Sequence, residues 1–361
     1  MRYAIIIALL LVVCAGLAGA GTRADLSGDA VIDFQTTMDL PLMAVGNLGN
    51  AGEQSRLAEY GDETYYGRVD YDYRMGKFEV TAGQYTEFLN AVAATDTYAL
   101  YSTLMWSSSY GCKIQQTGSS GSYSYSVAAD RADRPVNYVS WGDAARFANW
   151  LTNGMPTGAQ GLTTTEDGSY LLDGATSNAA LLAVTRKDPE DGGRYYIPTE
   201  DEWYKTAYHK NDGVTGNYFD SPTSSDAVSS NVLMDPDPGN NASFYDSGYT
   251  IGSPYYRTEV GEFELSESPY DTFDMGGNVW EWNEAILSGS YRGLRGGSFN
   301  HSGSYLHASF RNAGYYPTDE YQNIGFRVAE VPEPATMSLL SLGGLALLRR
   351  RSPGAPERRR C

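Results

Sequence analysis

The segment from Asp274 to Trp282, which reads Asp-Met-Gly-Gly-Asn-Val-Trp-Glu-Trp, constrains the fold of this chain more than any other. Adjacent glycines let backbone segments approach closely, and tryptophans two positions apart place both indoles on one side of an extended chain. Carboxylates at both ends suit a hard cation such as calcium, which binds carboxylate and carbonyl oxygens. The pattern predicts a tightly wound loop that packs its indoles into a core.

Composition limits what surrounds that loop. The chain has 361 residues, 42% of them hydrophobic, with 40 Gly and 29 Tyr, which fits one large domain with many turns and an aromatic core. A net charge of -18 repels nucleic acid phosphates and anionic membranes, so we expect no nucleic acid partner. Cys14 and Cys361 lie near the two ends of the chain, so Cys112 is expected to be an unpaired structural thiol.

Both ends read as targeting segments. Residues 1–24 combine Arg2, an apolar run and the small residues Ala18-Gly19-Ala20, the pattern of a secretory signal peptide. Residues 331–361 contain Pro-Glu-Pro at 332–334, an apolar run at 335–348 and three arginines. As a helix that run would span about 21 Å, short of a bilayer core of about 30 Å.

The C-terminal segment resembles the bacterial PEP-CTERM sorting tails that exosortases read. The resemblance implies export, transient membrane contact through the tail, and a place in the cell envelope, at the cell surface or outside the cell. A plain tail anchor stays open as the alternative. We therefore divide the chain into a signal peptide, a lead-in at 25–66, a domain at 67–330 and the tail.

Local signals in the domain predict a mixed α and β structure with short helices. Thr81, Ser140 and Thr199 each precede an apolar periodic segment and have a capping partner three residues later, so a helix is expected after each. Alternation from Val69 predicts a strand that continues toward Val80. Long Gly-, Ser- and Asp-rich stretches separate these elements and argue against repeated βαβ units.

Five blocks of sequence resemble, in order, the formylglycine-generating, sulfatase-modifying family. They are Met75–Thr81, Pro135–Trp141, Ile197–Trp203, Asp274–Trp282 and Leu294–Phe299, and the chain then closes with Gly325–Ala329. The resemblance implies a single α+β domain related to C-type lectins, with much irregular structure and bound calcium. It further implies calcium ligands at Asp274, Gly277, Val279 and Glu281. The alternative is that the two acids cap the turn by hydrogen bonds to backbone amides.

Oxygen-dependent members of that family bind copper through two cysteines after the Gly-Gly-Ser block. Here His301 and Leu306 stand at those positions, so we do not expect copper. Alternation of Leu306, Ala308 and Phe310 with polar residues predicts a strand that shows a polar face to a groove. The predicted ligand groove comprises Trp280, Ser298, His301, His307 and Arg311. A metal shared by the two histidines would need the chain to fold back at Ser302–Ser304.

The sequence therefore favours an exported, surface-sorted binding or structural module, stabilised by calcium, over an enzyme. Its ligand could be a peptide, a protein or an exopolysaccharide, because polar groove residues and aromatic platforms suit all three. An active oxidase or oxygenase of the same superfamily, with a non-cysteine metal site, stays open as the alternative.

Overall fold

A computed structural model describes residues 38–54 and 65–332. The predicted signal peptide and the apolar run of the sorting tail lie outside these ranges. The described residues from Leu40 onward form one compact unit, and the expected α+β class with short helices and much irregular backbone is confirmed. In the ranges described, no helix combines the length and the apolar character needed to cross a bilayer.

The helices are short and separated by loops. They are α1 (Ala82–Val92), α2 (Leu104–Ser107), α3 (Ala129–Ala132), α4 (Trp141–Thr152), α5 (Asn178–Leu182) and α6 (Glu200–Tyr208). The three predicted helix starts, at Thr81, Ser140 and Thr199, are confirmed. At each start the hydroxyl accepts a hydrogen bond from the backbone amide three residues later, and the side chain of that later residue accepts one from the backbone amide of the capping residue. Capping is a local interaction, so the sequence alone was enough to locate these starts.

The strands are also short. They are β1 (Leu42–Val45), β2 (Glu53–Gln54), β3 (Tyr65–Tyr66), β4 (Tyr73–Gly76), β5 (Ile114–Thr117), β6 (Ser124–Val127), β7 (Tyr195–Tyr196), β8 (Trp280–Leu287), β9 (Tyr291–Arg295), β10 (Asn312–Tyr315), β11 (Ile324–Gly325) and β12 (Ala329–Glu330). One sheet has the order β1-β4-β12-β7, so the first and last strands of the domain meet in it. Met75 lies opposite both Met43 and Ala329 in this sheet.

A second sheet, of order β10-β9-β8-β11, carries the Trp-Glu-Trp segment. Strands β8 and β9 form an antiparallel pair, whereas β11 runs parallel to β8 and places Gly325 opposite Glu281. This register joins two of the sequence blocks, the Trp-Glu-Trp strand and the Gly-Phe-Arg segment near the end of the domain. The candidate site is built on this sheet.

Aromatic rings fill much of the core. Helices α1 and α4 pack through Phe88 and Phe147, whose ring centres lie 5.3 Å apart in an edge-to-face arrangement. Phe326, from the segment after β11, contacts Phe147 at the same distance of 5.3 Å. Cys112 is a buried free thiol, as expected, and burial raises its pKa.

Two strand predictions were wrong: one strand is shorter than expected, and the other is absent. The strand expected from Val69 begins only at Tyr73. The strand expected around Leu306–Phe310 is absent there, because residues 303–306 form a 3-10 helix and β10 starts at Asn312. The Arg295 guanidinium donates to the carbonyls of Ala308 and Phe310 at 3.0 and 2.7 Å, so a side chain occupies acceptors that a neighbouring strand would otherwise use.

Candidate functional site

The Gly-Gly-Asn loop before β8 is held between two other segments. The amide of Gly277 donates to the Gly296 carbonyl, and the amide of Asn278 donates to the Ser243 carbonyl. A Cβ at Gly277 would lie 2.3 Å from that Ser243 oxygen, and its φ of +92° is in the left-handed region. Only glycine fits this position, because both the backbone angle and the close approach exclude a side chain.

Glu281, between the two buried tryptophans, is already neutralised by protein groups. Its carboxylate accepts two bonds of 2.6 Å from Arg327 and one of 2.6 Å from the indole of Trp203. Arg327 in turn donates to the carbonyls of Gly76 and Phe273. This fully buried ion pair ties β8 to β4 and to the segment that follows β11.

Glu79, a residue that the sequence analysis did not single out, lies close to this ion pair. It is 1% exposed, and neither carboxylate oxygen makes a hydrogen bond of good geometry in the described part of the chain, although the nearby Asn278 side chain acts to lower its pKa. Burial raises the pKa of Glu79 well above its usual value, and repulsion from Asp274 and Glu281 adds to this. Burial also raises the pKa of Asp274 to about 6, although its carboxylate accepts a 2.6 Å bond from the Gly261 amide.

The donor set suits a hard cation in chemistry and in charge. Three carboxylates face one guanidinium, and the oxygens of Glu79 make no hydrogen bond of good geometry, which is costly in a buried site. Glu281 is committed to Arg327, so Glu79 and Asp274 supply the less occupied carboxylate oxygens. Within residues 38–54 and 65–332, no group of three or more His, Cys, Asp or Glu side chains has metal-binding geometry. A cation here would therefore depend on loop carbonyls such as those of Gly277 and Val279.

The structure brings the side chains of Trp280, Ser298 and His301 together, and their role in binding a ligand stays a prediction. The indole nitrogen of Trp280 lies 3.2 Å from Nδ1 of His301, and the Ser298 hydroxyl lies 2.7 Å from the same atom. Because an indole N–H can only donate, Nδ1 must accept, and the hydrogen of the neutral ring is on Nε2. Burial lowers the pKa of His301, which favours that neutral ring.

His307 and Arg311, the other two predicted groove residues, lie in a separate group of side chains. Nδ1 of His307 accepts from the amide and hydroxyl of Ser309, and Arg311 pairs with Glu200 at 2.5 Å. The cleft beside His307 has a volume of about 10 Å³, which is room for one water molecule. The predicted groove is thus divided, and the cleft beside His307 is too small for a sugar or a peptide.

A surface that the sequence analysis missed adjoins His301. We call it the aromatic face, and it consists of Tyr110, Tyr245, Tyr249 and Tyr256. Successive ring centres lie 5.2 Å apart from 245 to 249, 5.3 Å from 249 to 256, and 4.6 Å from 256 to 110. The Tyr245 amide donates to the His301 carbonyl, which joins this face to the histidine.

An open depression of about 350 Å³ borders the aromatic face. Asn231, Asp246, Thr250 and Tyr249 contribute to its wall. The sequence signal for this face was the clustering of Tyr245, Tyr249 and Tyr256 in a stretch rich in Ser, Gly and Asp. Only the fold brings the distant Tyr110 beside them.

Comparisons with known proteins agree with the sequence blocks. Residues 50–331 match the family described as sulfatase-modifying factor enzyme 1-like domain, and residues 330–352 match the PEP-CTERM protein-sorting motif. The search of curated proteins found no match.

Solved structures with a similar chain path include CarF, Treponema denticola variable protein 1 and PvdO from Pseudomonas aeruginosa. Each is 18% identical to this chain, and each alignment covers 81% of this chain. The alignments cover 98% of CarF, 95% of the Treponema protein and 92% of PvdO. The TM-scores are 0.44, 0.45 and 0.41.

The sorting motif indicates a protein that is exported, recognised by exosortase machinery, and directed to the cell envelope or surface. The family match covers well over half of the sequence and includes all five blocks. The chain therefore belongs to the sulfatase-modifying factor enzyme 1-like family and carries a PEP-CTERM sorting tail.

Proposed function

We propose that this domain is a binding module for a polysaccharide of the cell envelope, and that the aromatic face is its binding surface. The observation that carries the proposal is the unbroken row of four tyrosine rings beside His301. Tyr245 is 42% exposed and Tyr249 is 39% exposed, so ring surface is available to a ligand.

The chemistry of this face suits sugar rings better than an apolar peptide. Tyrosine offers a flat apolar ring and a hydroxyl, so one side chain can stack on a sugar face and also hydrogen-bond to its hydroxyl groups. The neighbouring depression adds polar side chains from Asn231, Asp246 and Thr250. An open surface also admits an extended polymer, which an enclosed pocket would exclude.

His301 supplies a directed polar contact at one end of this face. With Nδ1 accepting from the Trp280 indole, the Nε2–H of the neutral ring is left to donate. Burial lowers the pKa of His301, so its donor role does not depend on protonation near neutral pH.

Calcium enters the proposal as a structural cofactor rather than a catalytic one. It would offset the charge of the buried Glu79 carboxylate and the nearby charge of Asp274. The same loop leads directly into β8, so a cation there would stabilise the strand that carries Trp280.

The test is a binding assay with purified protein and envelope exopolysaccharide, comparing wild type with the double variant Y245A/Y249A. Each lost ring contact is worth roughly 0.5–1.5 kcal/mol, so we expect affinity to fall about tenfold or more. Tyr65→Ala is the matched control, because Tyr65 is 58% exposed and lies outside the face. Retention of a peptide or protein but of no polysaccharide would overturn the ligand class.

An active oxidase or oxygenase is the rival function. Metal analysis and oxygen uptake with cysteine-containing peptides separate the two functions. Stoichiometric copper or iron with turnover would overturn the binding role, whereas calcium alone would support it.

A further inference from the structure

Arg131 and Arg257 are buried arginines without a carboxylate partner among the residues described. Arg257 is fully buried, and its Nε and Nη2 atoms make no hydrogen bond. Arg131 is 7% exposed, and its Nη1 atom also has no partner. A guanidinium group is permanently charged and carries five N–H donors, so burying one without acceptors is costly. Both groups therefore call for acceptor atoms that the described chain does not provide.

Packing brings a third arginine to the same place. The Tyr255 ring contacts two guanidinium groups, at 4.5 Å for Arg131 and 4.2 Å for Arg134. Arg134 then donates to the backbone carbonyl of Arg257 at 2.5 Å. The Arg257 guanidinium lies 5.8 Å from the centre of the Phe299 ring, and it is close enough to Arg131 and Arg134 for their charges to act on it. Three cations therefore lie near one another in a chain whose net charge is -18.

The acids nearest to this cluster are engaged elsewhere or lie at its edge. Asp130 accepts a 3.0 Å bond from the Tyr255 hydroxyl, and Glu259 pairs with Arg134 at 3.1 Å. Both acids are exposed, as is Glu262, which acts on Arg134 at longer range. None of these carboxylates forms an ion pair with Arg257. Within the described ranges, the one hydrogen bond that its side chain donates goes to the Tyr110 carbonyl at 2.8 Å.

The electrostatic balance at Arg257 points the same way. Burial lowers the pKa of Arg257 to about 10. Repulsion from Arg131 and Arg134 adds to this change. The negative charge of a bound anion would offset this repulsion between guanidinium groups. Its oxygens would accept hydrogen bonds from the free N–H groups.

We propose that Arg131 and Arg257 form a binding site for an oxyanion of the sulfate, phosphate or carboxylate class. Such a group has several acceptor oxygens, which matches the unpaired donors of two guanidinium groups. The anion could be free in solution or be a substituent of a polymer. The site stands apart from the polysaccharide-binding role, although Tyr110 belongs to both.

The test measures the melting temperature of the purified protein in sodium sulfate against sodium chloride at matched ionic strength. Matching is needed because salt screens charges without binding. Sulfate that binds only the folded state should raise the melting temperature by roughly 2–4 °C. Dextran sulfate compared with dextran then distinguishes a polymer-borne group from a free ion.

Arg131→Gln should remove most of the sulfate response, with affinity in equilibrium dialysis reduced roughly tenfold. Arg68→Gln is the matched control, because it removes the same charge from an exposed side chain paired with Asp70. Arg257→Met serves as a second variant, read by its sulfate response rather than by its basal stability. The proposal is overturned if wild type melts identically in sulfate and chloride, or if R131Q responds as wild type does.

Discussion

At the scale of single residues, buried ionisable side chains determine much of this domain's chemistry. Glu284 accepts a 2.6 Å bond from the Tyr170 hydroxyl, and its other oxygen lies 3.8 Å from Arg186. Burial raises the pKa of Glu284 to about 7 despite these two partners. Desolvation therefore outweighs pairing at this position, and the folded state favours the protonated acid.

This shift predicts a pH-dependent difference between wild type and Glu284→Gln. The pKa of glutamate in the unfolded chain is about 4.3, so the stability that the protonated acid contributes is complete below about pH 4 and is lost as pH rises through about 7. Urea denaturation at pH 5, 6, 7 and 8 should show wild type losing stability relative to E284Q. Glu264→Gln removes an exposed carboxylate as the control. Wild-type stability that rises with pH relative to E284Q, or that stays level with it, would contradict the expectation.

At the scale of elements, the sequence predicted what depends on neighbours along the chain. Thr81, Ser140 and Thr199 begin helices because their hydroxyls reach amides only three residues away. The segment after Ser302 could not be predicted in this way. Its alternation matched a strand, but Arg295, from another element, satisfies its carbonyls.

The loop before β8 provides a test at this scale. Gly277→Ala should destabilise the domain by roughly 3 kcal/mol or more, because the new Cβ would overlap the Ser243 carbonyl at a positive φ. Gly289→Ala is the control, since φ there is +66° and nothing lies within 4 Å of the added carbon. Its expected cost is about 1 kcal/mol. Equal losses in chemical denaturation would show that the close approach does not limit the loop.

At the scale of the whole molecule, the proposed calcium joins segments that are distant in sequence. Glu79 precedes α1, whereas Asp274 and Val279 lie nearly 200 residues later. The cation site that these residues form exists only in the folded chain. Calcium binding therefore adds stability to the folded state by mass action.

We therefore expect EDTA to lower the melting temperature and added calcium to restore it. Magnesium should restore less, because it is smaller and demands stricter octahedral geometry. Glu79→Gln should raise the calcium concentration needed for half-recovery, while Glu264→Gln should leave it unchanged. An unchanged melting temperature at saturating EDTA would show that bound calcium does not stabilise this domain.

The sequence by itself determined the family, the sorting tail, the main helix starts and the buried tryptophans, because each depends on a contiguous run of residues. It also predicted that Trp280, Ser298 and His301 lie close together, and the structure shows these contacts. The tertiary structure decided that His307 and Arg311 belong elsewhere, that Glu79 faces the loop, and that four tyrosines form a face. It also brought Arg131 and Arg257 together. These arrangements join residues far apart in the chain, and only packing in three dimensions can specify such contacts.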